Sequence, residues 1–212
     1  GWCVVQRDLA GCGDSSGEFG DARWADWLDD VRAEAAGADR ALPIWLCCHR
    51  AGTLLAPAAL AERPDAQLLL WQPVMSGAQH LQQFLRLHAG ARIVGAAQAE
   101  GAASPAKLLR EGQRVEVGGY ELSPALAQGL EQANFDLAEG FAGRIAWFEL
   151  SGDESPALSP ASLRHIERLR QRGIPIHAEA LAGPAFWQTL EIEESDALID
   201  RSLMQVCAPA HD

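Results

Sequence analysis

Residues 43–56 read PIWLCCHRAGTLLA, and this stretch gives the clearest indication of the fold. Ile44–Cys48 is a short apolar run rich in strand-forming residues, and Gly52 opens a helical pattern behind it. A strand that enters a helix through a sharp turn is the setting of a nucleophile-bearing turn with the pattern small-x-nucleophile-x-small. The small residues are expected two positions before and two after the nucleophile, because the two backbones pass close together. Cys48 and Gly52 fit those positions, which places Arg50 where the nucleophile would stand.

Arg50 changes the chemistry expected of such a turn. An arginine is charged at neutral pH and cannot attack a carbonyl group. The start of a helix favours anions through its free N–H groups and dipole, and a guanidinium binds carboxylate or phosphate through two parallel hydrogen bonds. Two interpretations of Arg50 stay open: an anion-binding pocket, or an ion pair with a neighbouring acid.

The composition excludes several classes of function. The chain has 212 residues, 48% hydrophobic and 22% charged, which is typical of an ordinary soluble globular domain. Its net charge of −12 argues against nucleic acid and anionic membrane surfaces, which need clustered lysine and arginine. No apolar run approaches the length of a membrane span. The five cysteines and six scattered histidines contain no CxxC pair, so free thiols are expected, and neither a structural zinc site nor a cofactor.

The remaining pattern predicts strands that alternate with helices, and therefore a mostly parallel sheet flanked by helices. An amphipathic helix is expected over 21–37, with Asp21 as a plausible N-cap. A helix is also expected over 160–172, and residues 196–205 suit a final helix or strand. The predicted strands are Trp2–Gln6, Ile44–Cys48, Gln67–Trp71, Arg144–Leu150 and Ile174–Leu181.

A long excursion interrupts this alternation between the third and fourth predicted strands. Val115–Leu122 reads VEVGGYEL, a hairpin pattern with two glycines at the turn, and residues 79–88 and 123–132 have helical patterns. Insertions of this size commonly cover a pocket, so residues 77–140 are predicted to form a lid within a single domain over 1–212.

Several stretches together resemble one bacterial subfamily of the α/β hydrolases, the exosortase A system-associated hydrolase 2 proteins. The resemblance runs over nearly the whole chain, and it is carried by DLAGCGDSSGEFGDARWADWLDD at 8–30, WLCCHRAGTLLA at 45–56, LWQPVMSG at 70–77, VEVGGYELSP at 115–124 and AGPAFWQTLEIE at 182–193. It implies an α/β-hydrolase fold and a cytoplasmic protein linked to exopolysaccharide production and PEP-CTERM protein sorting. Cys47-Cys48-His49 departs from the glycine expected at the strand-to-turn step.

The strand order of this fold also implies that the chain is incomplete at its N-terminus. In the hydrolase sheet a further strand lies between Trp2–Gln6 and Ile44–Cys48, and the loop after it supplies an oxyanion-hole amide. The chain begins at Gly1 rather than Met, so we expect additional strands upstream. Direct pairing of Trp2–Gln6 with Ile44–Cys48 would contradict this expectation.

The other two members of a catalytic triad are hard to find. Asp153 follows the strand after which the triad acid usually lies, although it also suits a simple turn cap or a partner for Arg50. The histidine should follow the last strand, where the sequence reads GPAFW at 183–187. His49 adjoins Arg50 and is the remaining candidate base, whereas His177 lies inside a strand and is expected in the core.

Cys48 does not suit the role of a substitute nucleophile. With Cys48 as nucleophile, Leu46 and Arg50 would occupy the positions that must be small, so Cys48 is expected to be a buried apolar residue. Four aromatic residues suit either an apolar wall of the pocket or the core: Trp71, Tyr120, Phe186 and Trp187.

Two functions therefore compete. The first is a hydrolase of esters or thioesters connected with exopolysaccharide metabolism, acting on an acyl substrate through a degenerate triad. The second is a catalytically silent fold that binds a small anionic molecule or a partner protein. Fold alone does not choose between them.

Overall fold

A computed structural model describes residues 1–93, 103–189 and 191–208 of the chain. Four parallel strands form its central sheet in the order β1 (Trp45–His49), β2 (Gln67–Trp71), β5 (Ile145–Ser151) and β6 (Ile176–Ala182). Strands β3 (Val115–Val117) and β4 (Tyr120–Leu122) form a separate antiparallel hairpin. Seven α-helices surround the strands in the described part of the chain: α1 (Trp24–Gly37), α2 (Ala56–Glu62), α3 (Gly77–Ile93), α4 (Pro105–Arg110), α5 (Pro124–Gln132), α6 (Pro160–Gln171) and α7 (Asp196–Cys207).

Alternating side chains of the strands build a core on each face of the sheet. Leu68, Leu70 and Trp147 are fully buried in the larger core, to which helices on that face contribute. Leu69 and Phe148 point to the opposite face and pack in a smaller core with residues of α7. The sheet is therefore covered on both faces, and the predicted α/β class with a mostly parallel sheet and flanking helices is confirmed.

Local signals in the sequence explain where several helices begin. Ser123 and Ser159 precede prolines at the first turns of α5 and α6, and their hydroxyls accept hydrogen bonds from Leu126 N (3.0 Å) and Ser162 N (3.1 Å). Two glycines with positive φ, 59° and 88°, make the turn of the predicted hairpin.

Two sequence-based expectations near the N-terminus are wrong. Trp2–Gln6 forms no strand in the described structure and does not pair with β1, and Val4 is 86% exposed. The apolar and β-branched residues of Trp2–Gln6 favour a strand, but a strand forms only where a neighbouring strand exchanges hydrogen bonds with it. Helix α1 begins three residues after Asp21, with Arg23 at the N-cap. Asp21 instead ends a short 3-10 helix, Phe19–Asp21, and pairs with Arg114 beside the hairpin.

The segment predicted to form a lid contains α3, α4, the β3–β4 hairpin and α5, and residues 94–102 of it lie outside the described residues. Helix α5 packs against α1 and α3. Gly77 lets α3 start directly against α5, since an added Cβ would lie 1.7 Å from the carbonyl oxygen of Leu130. The covering role of 77–140 stays a prediction. Across the described residues, every helix is too short or too polar to span a bilayer.

Candidate functional site

Strand β1 ends in a strained turn at Arg50. The φ angle of Arg50 is 49°, a left-handed conformation that side chains other than glycine rarely adopt. Among the described non-glycine residues, only Arg50 and Gln72 have a positive φ. Gln72 follows the neighbouring strand β2, donates from its backbone N–H to Phe148 O (2.8 Å) and accepts from Leu150 N at Oε1 (2.8 Å). Two adjacent parallel strands thus end in strained residues at the same edge of the sheet.

The turn differs from the expected strand-turn-helix in its steric detail. Cys48 is buried, as expected of a small residue under the turn. At Gly52, however, an added Cβ would meet no atom within 4 Å, so close contact of the backbones does not require glycine there. The expected helix over 52–62 begins as a 3-10 helix, Arg50–Leu55, and becomes α-helical only at Ala56. The looser first turn leaves space beside Gly52.

The guanidinium of Arg50 is half-buried and rests on an aromatic ring. Its central carbon lies 5.3 Å from the ring centroid of Trp187, a cation–π distance. Among the described residues, no carboxylate lies within 4.0 Å of it. Burial lowers the pKa of Arg50, and an arginine nevertheless stays charged at neutral pH. The ion-pair interpretation of Arg50 is therefore not the arrangement seen.

His49 lies beside Arg50 and packs among the same aromatic residues. Its ring centroid is 5.3 Å from that of Phe186, in a stacked arrangement, and 5.2 Å from that of Trp187. Its Nε2 and the Trp187 Nε1 are buried and make no hydrogen bond within the described structure. Burial, followed by the charge of Arg50, lowers the pKa of His49. The imidazole is thus neutral at neutral pH and sits against aromatic rings.

His80 of α3 is a further neighbour of Arg50 that sequence reasoning missed. Burial lowers the pKa of His80, and the charge of Arg50 lowers it further. A histidine on a helix far along the chain carries no motif, so only the folded arrangement reveals it. Gln72 was missed for the same reason, since QP after a strand is an ordinary turn pattern.

Asp153 does not join this group. Its carboxylate accepts a hydrogen bond from Ser151 Oγ (2.7 Å), and its backbone N–H donates to the same hydroxyl (3.1 Å). Asp153 therefore closes the turn after β5 at an exposed position, and it forms no ion pair with Arg50 or His49 in the described structure. Of the three predicted site residues, the structure brings Arg50 and His49 together and leaves Asp153 apart.

Cys48 and His177 are both unsuited to a catalytic role beside Arg50. Cys48 is buried, and desolvation raises the pKa of its thiol to about 12, which removes the thiolate needed for attack. His177 lies on the edge strand β6 with its side chain 43% exposed and Nε2 3.4 Å from Glu179 Oε2, so its expected core position is wrong.

Phe186 and Trp187 belong to the wall beside Arg50, whereas Tyr120 is exposed near Phe19. The described residues contain no group of three or more acids, histidines or cysteines suited to a metal ion.

Comparison with known proteins gives similarity to solved structures alone. No family model and no curated protein matches the sequence. A variant of tomato methylketone synthase I complexed with beta-ketoheptanoate superposes with a TM-score of 0.47 and 15% identity, over 94% of this chain and 80% of that one. A carboxylesterase of the thaumarchaeon Nitrososphaera gargenis gives 0.46 and 15%, over 85% and 71%. E-2-(acetamidomethylene)succinate hydrolase gives 0.42 and 20%, over 82% and 71%.

Proposed function

We propose that this protein binds a small organic carboxylate with an acyl chain at Arg50, and that it does not hydrolyse the corresponding esters. The observation that carries the proposal is a half-buried guanidinium, held at a strained turn, with no carboxylate beside it in the described structure. Removing a charged group from water costs free energy unless an opposite charge or hydrogen bonds compensate it. A bound carboxylate supplies both to Arg50.

A buried indole N–H and a buried imidazole nitrogen strengthen the preference for a ligand that forms hydrogen bonds. Trp187 Nε1 is always a donor, and the neutral His49 ring has one donor and one acceptor nitrogen. Both Trp187 Nε1 and His49 Nε2 are buried without a partner among the described residues. Buried polar groups are normally hydrogen-bonded, and carboxylate oxygens accept such bonds readily. The polar part of the proposed ligand is thus a group that accepts hydrogen bonds and carries negative charge.

The surroundings of Arg50 suit an apolar body attached to that group. Phe186 and Trp187 lie with their centroids 5.1 Å apart on one side, and Trp71 lies at the end of the neighbouring strand β2. An acyl chain would be stabilised by removal of its surface from water against such rings. We infer that residues 77–140 cover the bound chain.

Hydrolysis is not part of this proposal, because the required groups are not assembled. Arg50 occupies the nucleophile position, Cys48 is buried and protonated, and Asp153 is bonded at its own turn. Among the described residues, His49 therefore has neither a nucleophile to deprotonate nor a carboxylate to orient it.

A second candidate is an ester or thioester hydrolase associated with exopolysaccharide production and the exosortase system. It is favoured by the left-handed φ of Arg50, since a strained residue at the end of a strand is the backbone geometry of a nucleophile turn. The sequence resemblance adds a bacterial, cytoplasmic setting for either candidate. Turnover distinguishes the two.

The experiment compares the purified protein with Arg50→Ala and with a matched control, Arg164→Ala, whose arginine is exposed on α6. Thermal unfolding is followed with hexanoate, with hexan-1-ol and without ligand. We expect hexanoate to raise the Tm of the wild type and of Arg164→Ala but not of Arg50→Ala, and hexan-1-ol to have no effect. A hexanoate shift that survives in Arg50→Ala excludes Arg50 as the binding group. Turnover of p-nitrophenyl hexanoate that is lost in Cys48→Ala or His49→Gln supports the hydrolase instead.

A further inference from the structure

A cavity lies beside α6, and the residues of the Arg50 turn are not among those that line it. Its volume is about 130 Å³, and it is lined by residues of α6 and of the segment before β5: Phe135, Asp136, Leu137, His165, Arg168, Leu169 and Arg172. We call it the α6 cavity. A volume of this size holds about four water molecules or one small polyatomic ion. Phe135, Leu137 and Leu169 are buried and form its apolar floor.

Two arginines at the α6 cavity are held by neutral acceptors. Arg172 Nη2 donates to the carbonyl oxygens of Leu137 (2.9 Å) and Ala138 (2.8 Å). Arg168 Nη2 lies 2.6 Å from His165 Nδ1. In the described structure neither arginine has a carboxylate within 4.0 Å, although the chain has a net charge of −12. Both guanidinium groups keep further N–H donors for a ligand.

The contact with Arg168 fixes the tautomer of His165. A guanidinium has donors only, so His165 Nδ1 must accept, and the proton of the neutral ring lies on Nε2. His165 is 7% exposed, and its ring stacks on Phe135 with centroids 5.5 Å apart. Its Nε2 is buried without a partner among the described residues. A buried, unpartnered imidazole N–H thus belongs to a residue that lines the α6 cavity, besides two guanidinium groups.

Asp136 is the single carboxylate among the lining residues, and it restricts the ligand. A carboxylate repels a fully ionised oxyanion but accepts a hydrogen bond from one that keeps a proton. Phosphate retains a hydroxyl near neutral pH, whereas sulfate has none. A site with two arginines, an imidazole N–H and one carboxylate thus matches hydrogen phosphate better than sulfate.

We propose that the α6 cavity is a binding site for a protonated phosphoryl group, held by Arg168, Arg172 and His165 and selected by Asp136. The group is either inorganic phosphate or the end of a phosphate monoester, since the chemistry recognised is the same. This proposal does not depend on the function proposed for Arg50, which lies on another part of the fold.

The test uses the Arg50→Ala protein, so that the Arg50 site cannot contribute. Calorimetric titrations with phosphate, sulfate and methyl phosphate are carried out at about pH 6, where a monoester also keeps part of its proton. We expect phosphate to bind at least about tenfold more tightly than sulfate, the effect of one charge-assisted hydrogen bond. Equal affinity for methyl phosphate identifies the end of a monoester as a ligand, and weaker binding identifies the free ion.

Variants of residues on α6 and in the lining of the α6 cavity test whether phosphate binds there. Arg168→Gln should weaken phosphate at least about tenfold, Arg164→Gln should leave it unchanged, and Asp136→Asn should remove the preference over sulfate. Near-ultraviolet circular dichroism checks that the variants keep their aromatic packing. The ¹⁵N shift of His165 Nε2 on addition of phosphate gives a readout that needs no α6 variant. Equal binding of sulfate, an unaffected Arg168→Gln protein or an unchanged His165 signal would overturn the proposal.

Discussion

The guanidinium carbon of Arg50 lies 5.3 Å from the ring centroid of Trp187, which joins the end of β1 to the segment after β6. In the sequence these residues stand in two unrelated motifs, a nucleophile-like turn and the GPAFW stretch. Together with His49 they form one group with a positive charge, aromatic rings and a buried indole N–H donor. The positions expected to hold a nucleophile and its base thus hold a cation and an aromatic wall.

The pH dependence of ligand binding follows from the two histidines near Arg50. His49 and His80 have lowered pKa values, so both are neutral at neutral pH and become charged only on acidification. Positive charge beside Arg50 would strengthen anion binding. We expect the affinity for hexanoate to rise as pH falls from about 7.5 to about 5.5, where the carboxylate is still ionised. The rise should be smaller in His80→Gln, and affinity that falls over this range would contradict the assignment.

The same shifts predict the opposite trend for stability without ligand. Folded-state pKa values below the unfolded value of about 6.5 mean that the unfolded chain binds more protons. Stability contributed by neutral His49, His80 and His165 is therefore present above that pH and is lost as pH falls through the folded-state values. The Tm of the unliganded protein should decrease on acidification, and His165→Gln should reduce the slope. A Tm that rises between about pH 7.5 and about pH 5.5 would be inconsistent with three neutral imidazoles whose pKa values are lowered by burial.

Gly77 should be among the least replaceable residues of the fold. A methyl group there would overlap the carbonyl of Leu130, so α3 and α5 would have to separate. We expect Gly77→Ala to lower the free energy of unfolding by about 2–3 kcal/mol, as for overpacked core positions. Gly37→Ala is the matched control, because its added Cβ meets no atom within 4 Å and alanine favours a helix. Urea unfolding of the two variants checks the contrast, which equal midpoints would refute.

Gly52→Ala tests the corrected description of the Arg50 turn. The sequence pattern makes Gly52 a required small residue, whereas the structure leaves open space at its Cβ and a φ outside the left-handed region. We expect alanine to be neutral or to raise the free energy of unfolding by up to about 1 kcal/mol. Thermal unfolding measures this directly, and a large loss of stability would restore the close contact that the pattern implies.

Native-state labelling separates the two adjacent thiols. Cys47 is exposed on β1, whereas Cys48 is buried; desolvation raises the pKa of both thiols, that of Cys48 to about 12. Iodoacetamide at about pH 8 should modify Cys47 and leave Cys48 unmodified until the protein unfolds, because the thiolate is the reactive form. Mass spectrometry of the peptide that contains both residues, compared with Cys47→Ser, gives the result. Rapid labelling of Cys48 would reopen its candidacy as a nucleophile.

Much of the fold could be predicted from local patterns, and most of the site could not. Apolar runs predicted all four strands of the central sheet to within a few residues, because strands buried in a parallel sheet are mostly apolar. One pair of glycines marked the turn of the hairpin, and helical patterns marked α5 and α6.

Contacts between distant segments could not be predicted from the sequence. Trp2–Gln6 is as apolar as a buried strand, yet it forms no strand in the described structure. Whether a segment has a strand with which to pair cannot be read from its local pattern. The turn at Arg50 was found from spacing, yet His80 and Gln72 join or flank it only through the fold. Asp153 lies where the triad acid was expected, but its carboxylate accepts a hydrogen bond from Ser151, two residues away, and makes none with His49 or Arg50 in the described structure.

Isothermal titration of the wild-type protein with hexanoate, repeated with Arg50→Gln, shows whether the Arg50 guanidinium binds a carboxylate. We predict one hexanoate per chain in the wild type and an affinity at least about tenfold lower in Arg50→Gln, since a charge-assisted pair of hydrogen bonds is lost. Arg164→Gln should bind as the wild type does, and all three proteins should leave the carboxylate and its esters chemically unchanged. Hexanoate binding of equal strength with and without the Arg50 guanidinium, or no binding to the wild type, would contradict the account.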